Sequence, residues 1–103
     1  MTLRSPSVRH TRPDDIPRLI ELQRKTYATI APWSPEKFES QLAIFPQGQV
    51  VAEIDGRVVG AASSLVVLWD EWAVEHSWTE ITASGTFQTH DPRGKTLYGA
   101  TDY

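Results

Sequence analysis

Ile16, Leu19, Ile20, Gln23 and Tyr27 recur at helical spacing, while Arg18, Glu21, Arg24 and Lys25 fall on the other side. That spacing predicts an amphipathic helix over residues 15–28. Asp15 or Asp14 serves as N-cap, and Pro17 is tolerated because its missing N–H has no partner in a first turn. A weak alternation over Val8–Arg12 predicts a short strand before it, closed by Pro13. A second helix start follows Ala31-Pro32-Trp33, with Ser34 as N-cap, Pro35 at the first helical position and Glu36 in the first turn. Phe38, Gln41, Leu42 and Phe45 share a face, and Pro46-Gln47-Gly48 ends the helix.

The period then changes from helix to strand. Gln49–Ile54 and Arg57–Leu68 are apolar, β-branched runs flanking Asp55-Gly56, and Asp-Gly supplies the positive φ angles of a tight hairpin. Gly60 inside the second run predicts a bulge or a close backbone approach. Residues 69–80 fit a short helix or an ordered loop better than a strand, and Ile81–Gly85 is ambiguous. Thr86–Thr89 reads as a short extended piece and His90–Gly94 as a turn. Thr96–Tyr103 reads as a last strand, which must pair with an earlier one or remain an open edge. The order β-α-α-β-β-(irregular)-β, with the helices in one stretch, predicts an α+β fold: a mostly antiparallel sheet with a helix pair packed on it.

Composition narrows the function classes. A chain of 103 residues, 40% hydrophobic and 22% charged, is one globular domain at most. The net charge of −3, with scattered Lys and Arg, provides no electrostatic footprint for nucleic acid. Without cysteine there are no disulfides or thiolate metal sites, which fits a cytoplasmic setting. No apolar run approaches the roughly 20 residues that cross a bilayer, and Met1–Pro6 lacks the apolar core of a signal peptide, so no membrane partner is expected. Of the four Trp, Trp69, Trp72 and Trp78 crowd one stretch while Trp33 stands apart.

Three segments carry a resemblance. Val8–Asp15 leading into the first helix, with Val51–Gly60 forming the hairpin, resembles the N-terminal half of a GNAT-superfamily N-acetyltransferase domain. His76–Thr82, Thr89–Gly94 and Thr96–Ala100 are similar to the acetyltransferase domain that precedes a nitrilase-like carbon–nitrogen hydrolase in some bacterial fusion proteins. The resemblance implies transfer of an acetyl group from acetyl-CoA, the co-substrate, to a small-molecule or peptide amine, with no metal. The amine attacks in its neutral form, so a carboxylate or ordered water takes its proton. In the family, a loop of pattern (Arg/Gln)-x-x-Gly-x-(Gly/Ala) after the fourth strand cradles the CoA pyrophosphate at a helix N-terminus. Here the fourth strand is Thr96–Tyr103. The expectation is thus that residues 1–103 are a single truncated domain, without cofactor-binding residues and inactive alone.

Candidate residues follow, each with a bland alternative. Asp102 falls near the acidic position of the family's fourth strand and is the candidate base; related fusion proteins carry the acid one residue earlier, at the position of Thr101. The alternative is a charge at a frayed terminus. Tyr27 and Trp33 flank the turn between the helices that commonly forms one wall of the acceptor site, although large aromatics more often serve a core. Glu80 either lines the amine-binding mouth or is a solvated charge. Arg57-Val58-Val59-Gly60-Ala61-Ala62 matches the phosphate-loop pattern but sits in a strand, so its N–H groups belong to a sheet ladder. His76, His90 and Asp91 lack metal-ligand spacing, and Asp91 before Pro92 reads as a turn cap. Two rivals remain. One is a non-catalytic assembly or protein-binding module that pairs through the open last strand with another chain, as in a homodimer; the C-terminal nitrilase-like domain in the full gene is instead a partner that the resemblance implies. The other is an ordinary α+β domain.

Overall fold

The hairpin residues Asp55 and Gly56 both have positive φ, 53° and 77°, and they join β2 (Gln49–Ile54) to β3 (Arg57–Val67). Around this hairpin a computed structural model, which describes residues 6–68 and 77–103, builds one antiparallel sheet. β1 (Ser7–His10) pairs with β2, and β4 (Thr96–Asp102) pairs with β3, giving the order β1-β2-β3-β4. Helices α1 (Ile16–Thr26) and α2 (Pro35–Ile44) lie between β1 and β2 in sequence, and a helical turn α3 (Trp78–Ile81) precedes β4. This is the α+β arrangement expected from the order of elements. Residues 69–76, with Trp69, Trp72 and His76, lie outside the described residues.

Alternation along the strands sorts the sheet into two faces. Val51, Val58, Leu65 and Val67 are buried on the helix side. There, Ile16 and Leu19 of α1 and Phe38 of α2 close a first core cluster with Val51 and Val58. Leu65 and Val67 form a second cluster with Ile81 and Phe87. Trp33 packs against both. Val8 and Leu97, on the other face, are exposed.

A charged clamp fixes where α1 leaves the sheet. Arg9 of β1 makes two bonds to the Asp15 carboxylate, at 2.8 and 2.9 Å, and a third to Glu53 of β2 at 3.1 Å. Asp15 also accepts from the Arg12 N–H at 2.7 Å. The hydrogen-bonded Arg9 guanidinium outweighs burial and holds the Asp15 carboxyl below its ordinary pKa. A basic last turn, Arg24 and Lys25, suits the negative end of α1. The helix ends two residues short of the expected limit, and Tyr27 leaves helical geometry at φ −115°, ψ 78°. Ser34 stands at the N-cap of α2 as expected, but its side chain makes no capping bond.

Two expectations about irregularity met different outcomes. At Gly60 both readings hold. The β2–β3 register slips so that Glu53 faces Val58 while Ala52 faces Gly60, leaving Val59 as a bulge, and a Cβ at Gly60 would stand 2.9 Å from the Tyr103 carbonyl. The extended piece at Thr86–Thr89 is not there. Ala83, Ser84, Gly85 and Phe87 all have positive φ, so residues 82–87 coil on themselves instead of extending. The coil buries Phe87 and is tied to α2, with Ser40 donating to the Thr86 carbonyl and Gln41 to that of Gly85, each at 2.7 Å.

Past Gln49, where β2 begins, the free side of β3 is taken by the turn before β4. The Asp91 N–H donates to the Val66 carbonyl at 2.8 Å, and the Val66 N–H donates to His90 Nδ1 at 2.9 Å. The His90 ring stacks on Phe45 with centroids 4.3 Å apart. Asp91 caps the turn as expected, accepting from the Arg93 N–H at 2.9 Å, and the Arg93 side chain draws its pKa down to about 2.

His90 accepts through Nδ1 only while neutral, and burial pushes its pKa below the ordinary 6.5. Between the lowered folded value and the ordinary unfolded one, the unfolded chain binds more protons, so stability rises with pH there. This contribution is complete above about pH 6.5 and is lost as pH falls through the folded value. Thermal unfolding followed from neutral to acidic pH should show that loss, and His90→Gln should flatten it. A second expectation concerns Gly85, whose φ is +88° and whose absent Cβ would stand 2.7 Å from Trp33 Nε1. Gly85→Ala should destabilise by about 1–3 kcal/mol through backbone strain and contact with the indole. Denaturant titration measures it, with Gly99→Ala, whose added Cβ meets nothing within 4 Å, as the comparison.

Candidate functional site

The end of α1 and the open side of β4 meet around a cavity of about 300 Å3, lined by Gln23, Tyr27, Ile30, Ala31, Trp33, Trp78, Ala100 and Thr101. Its position follows from local geometry. Tyr27 is the residue at which α1 stops, so its ring hangs beyond the last turn toward β4. Trp33 follows the connection between the helices and is held by its backbone, whose N–H donates to Gln23 Oε1 at 2.8 Å. Its indole stacks on Trp78, with centroids 5.8 Å apart and planes 18° from parallel, and meets Phe38 and Phe87 edge to face.

β4 contributes an edge. Ala61 and Tyr103 exchange both backbone bonds, at 2.7 and 2.8 Å, so the backbone polar groups of Asp102, next in the ladder, turn away from β3. The Tyr27 hydroxyl donates to the Asp102 carbonyl at 2.9 Å, and Trp78 Nε1 donates to the Ala100 carbonyl at 2.8 Å. Tyr27 also lies 3.0 Å from Thr101 Oγ1. Two outward carbonyls are thus held by side chains of the cavity wall.

The residues singled out from sequence separate. Tyr27 and Trp33 come together in this cavity. Asp102 does not join them: its backbone carbonyl does, but its exposed side chain borders a wider groove on the opposite sheet face. That groove, about 670 Å3, also runs along Val50, Ala62, Ser64, Leu97 and Gly99. Glu80 lies outside the cavity lining. It closes α3 locally, donating its N–H to Ser77 Oγ and accepting from that hydroxyl through Oε1, both at 3.0 Å. His90 and Asp91 are taken up by the turn contacts described above, and Arg57–Ala62 lies in β3.

Gln23, Trp78 and Thr101 complete the site and were not singled out as its residues. Gln23 carried a signal, since an amide amid the apolar stripe of α1 must find a buried partner. Trp78 was visible only as one of a crowded group. Thr101 is brought to the cavity by a bulge. Ser63 faces Thr101 while Ser64 faces Gly99, so Ala100 is an extra residue and the alternation of β4 shifts by one.

No family model matches the chain. It is 33% identical over 96 residues to an uncharacterized N-acetyltransferase, YkwB, of Bacillus subtilis (strain 168), covering 89% of this chain and 42% of that protein. It is 37% identical over 92 residues to a probable hydrolase, YhcX, of the same organism, covering 89% of this chain and 18% of that one. Among solved structures it is similar to the GphF GNAT-like decarboxylase in complex with isobutyryl-CoA, at TM-score 0.77 and 22% identity over 93% of this chain and 47% of that chain. It is also similar to the loading GNATL domain of CurA from Lyngbya majuscula, at TM-score 0.74 and 20% identity over 92% and 45% of the two chains. The chain spans less than half the length of each of these proteins. With its helix pair laid on an antiparallel β1-β2-β3-β4 sheet, and a relative named as an N-acetyltransferase, this chain has the fold of a GNAT-superfamily domain.

Proposed function

We propose that this chain supplies the acceptor side of an N-acetyltransferase, binding the amine that receives an acetyl group from acetyl-CoA. The observation that carries this reading is the cavity between Tyr27, Trp33 and the outward edge of β4. An apolar, concave site with a few convergent polar groups is what a small organic ligand requires. The isobutyryl-CoA complex of the GphF neighbour and the name of the YkwB relative support acyl-CoA as the donor.

In such a transfer the neutral amine attacks the thioester carbonyl, a C–N bond forms, and the C–S bond breaks to release CoA. The amine loses one proton to a base. Asp102, the one carboxylate of β4, lies on the opposite sheet face from this cavity, so an ordered water rather than Asp102 is the group that takes the proton. The donor's two ends fare differently against these residues. The outward edge of β4 already gives its Ala100 and Asp102 carbonyls to Trp78 and Tyr27, so the amide-bearing arm of CoA would have to bond to other backbone groups, as an added strand does, or displace these side chains. The pyrophosphate finds no cradle in the phosphate-loop match at Arg57–Ala62, because that segment is ladder-paired strand. YhcX, a probable hydrolase of which this chain matches 18%, lends loose support to a hydrolase domain as the covalent partner in a longer protein.

Calorimetry of the 103-residue chain with acetyl-CoA should accordingly show no tight binding, and micromolar affinity would overturn the need for a separate phosphate cradle. In a longer protein that carries this chain and transfers acetyl groups, Asp102→Asn should therefore leave kcat within about twofold, whereas loss of a general base costs about 100-fold. A loss of that size would mean that Asp102 takes the proton and that the amine does not sit in this cavity.

A further inference from the structure

Every proton in the Tyr27–Thr101 pair can be assigned from geometry. The Asp102 carbonyl can only accept, so the single hydroxyl proton of Tyr27 is the one given to it at 2.9 Å. The 3.0 Å contact between Tyr27 and Thr101 then requires Thr101 to donate and Tyr27 to accept. Thr101 has one proton and spends it there. Its oxygen is left with acceptor capacity, at the wall of a cavity whose other members include Ile30, Ala31, Trp33 and Trp78. Trp78 Nε1 is already committed to the Ala100 carbonyl.

Charge gives the second constraint. Among the described residues, none of the eight that line the cavity is Asp, Glu, Lys or Arg. An ammonium group drawn into the cavity would leave water without a counter-ion, which is costly. A cation held by the aromatic faces would need a ring face open to it. Trp33 offers little, since Trp78 stacks on its plane and Phe38 and Phe87 close on it edge to face. A neutral, apolar body carrying one hydrogen-bond donor meets every feature of the lining.

We propose that Thr101 Oγ1 is the positioning residue of this cavity, accepting a hydrogen bond from the N–H of a small apolar monoamine in its uncharged form, whose body packs on Trp33 and Trp78. The proposal rests on the acceptor-site reading above and adds the ligand class. Polyamines and other multiply charged amines are disfavoured by the same argument, because no described residue of the lining neutralises them.

The test titrates aniline, an amine that is uncharged at neutral pH, with spermidine, toluene and tetramethylammonium into the full chain, following the indole N–H resonances of Trp33 and Trp78 by NMR. Aniline should shift both resonances and spermidine neither. Thr101→Val, which keeps the shape and removes the acceptor, should weaken aniline about tenfold. It should leave toluene, which has no donor, unaffected, and Thr101→Ser should restore amine binding. A loss of both probes in Thr101→Val together with no rescue by serine would mean a structural role and overturn the proposal. So would spermidine or tetramethylammonium binding as tightly as aniline. The two readings fail separately. If the monoamine binds as described but a longer protein carrying this chain acetylates no amine, acyl transfer falls and the ligand class stands. If acetylation occurs with polyamines preferred, the ligand class falls and acyl transfer stands.

Discussion

Trp33 is the constraint on which the rest of this structure depends. It is the residue that packs against both core clusters, so the helix pair and the coil at 82–87 are referred to the same sheet through one indole. Its backbone is fixed by Gln23 of α1, its ring by Phe38 of α2 and Phe87 of the coil, and its outer side by Trp78 of α3. Gly85 is required where it is because the indole leaves no room for a Cβ. A large planar side chain suits this role, since it buries much surface and loses few rotatable bonds in doing so. The cavity wall and the core thus share one residue.

The second constraint is the edge of β4. An outward row of backbone groups invites pairing with another chain unless something occupies it. Here the occupants are side chains of the cavity, Tyr27 on the Asp102 carbonyl and Trp78 on that of Ala100. The Tyr27 hydroxyl that holds the Asp102 carbonyl also fixes the direction of the Thr101 hydroxyl. In the proposed reading, one side chain thus serves both the edge and the ligand.

Much of the fold was legible because short-range chemistry decides it. Asp55-Gly56 could hardly be anything but a hairpin, and Ser34-Pro35 starts a helix even though the serine side chain makes no capping bond. The expectation at Thr86–Thr89 failed because a β-branched, aromatic stretch looks extended, whereas burial of Phe87 and the bonds from Ser40 and Gln41 hold it in left-handed geometry. Tertiary contacts overrode local propensity there. At the site, Tyr27 and Trp33 were legible because they flank a break between two predicted helices. Trp78 was not, since its partners Trp33 and Ala100 are distant in sequence.

The instructive case is the pair Thr101 and Asp102. Neighbours in a strand point to opposite faces, so a slip of one residue decides which of them meets Tyr27. Sequence reading had no means of seeing the extra residue at Ala100. With a regular ladder from Tyr98 onward, Asp102 would share the face of Tyr98 and Thr101 would turn away. The bulge reverses this, bringing a hydroxyl to the cavity and sending the carboxylate to the other face. It thereby exchanges a charged wall for a neutral one. The chemistry that this site can recognise is set by backbone register as much as by residue identity, and a carboxylate at position 101 would make the same cavity a site for cations.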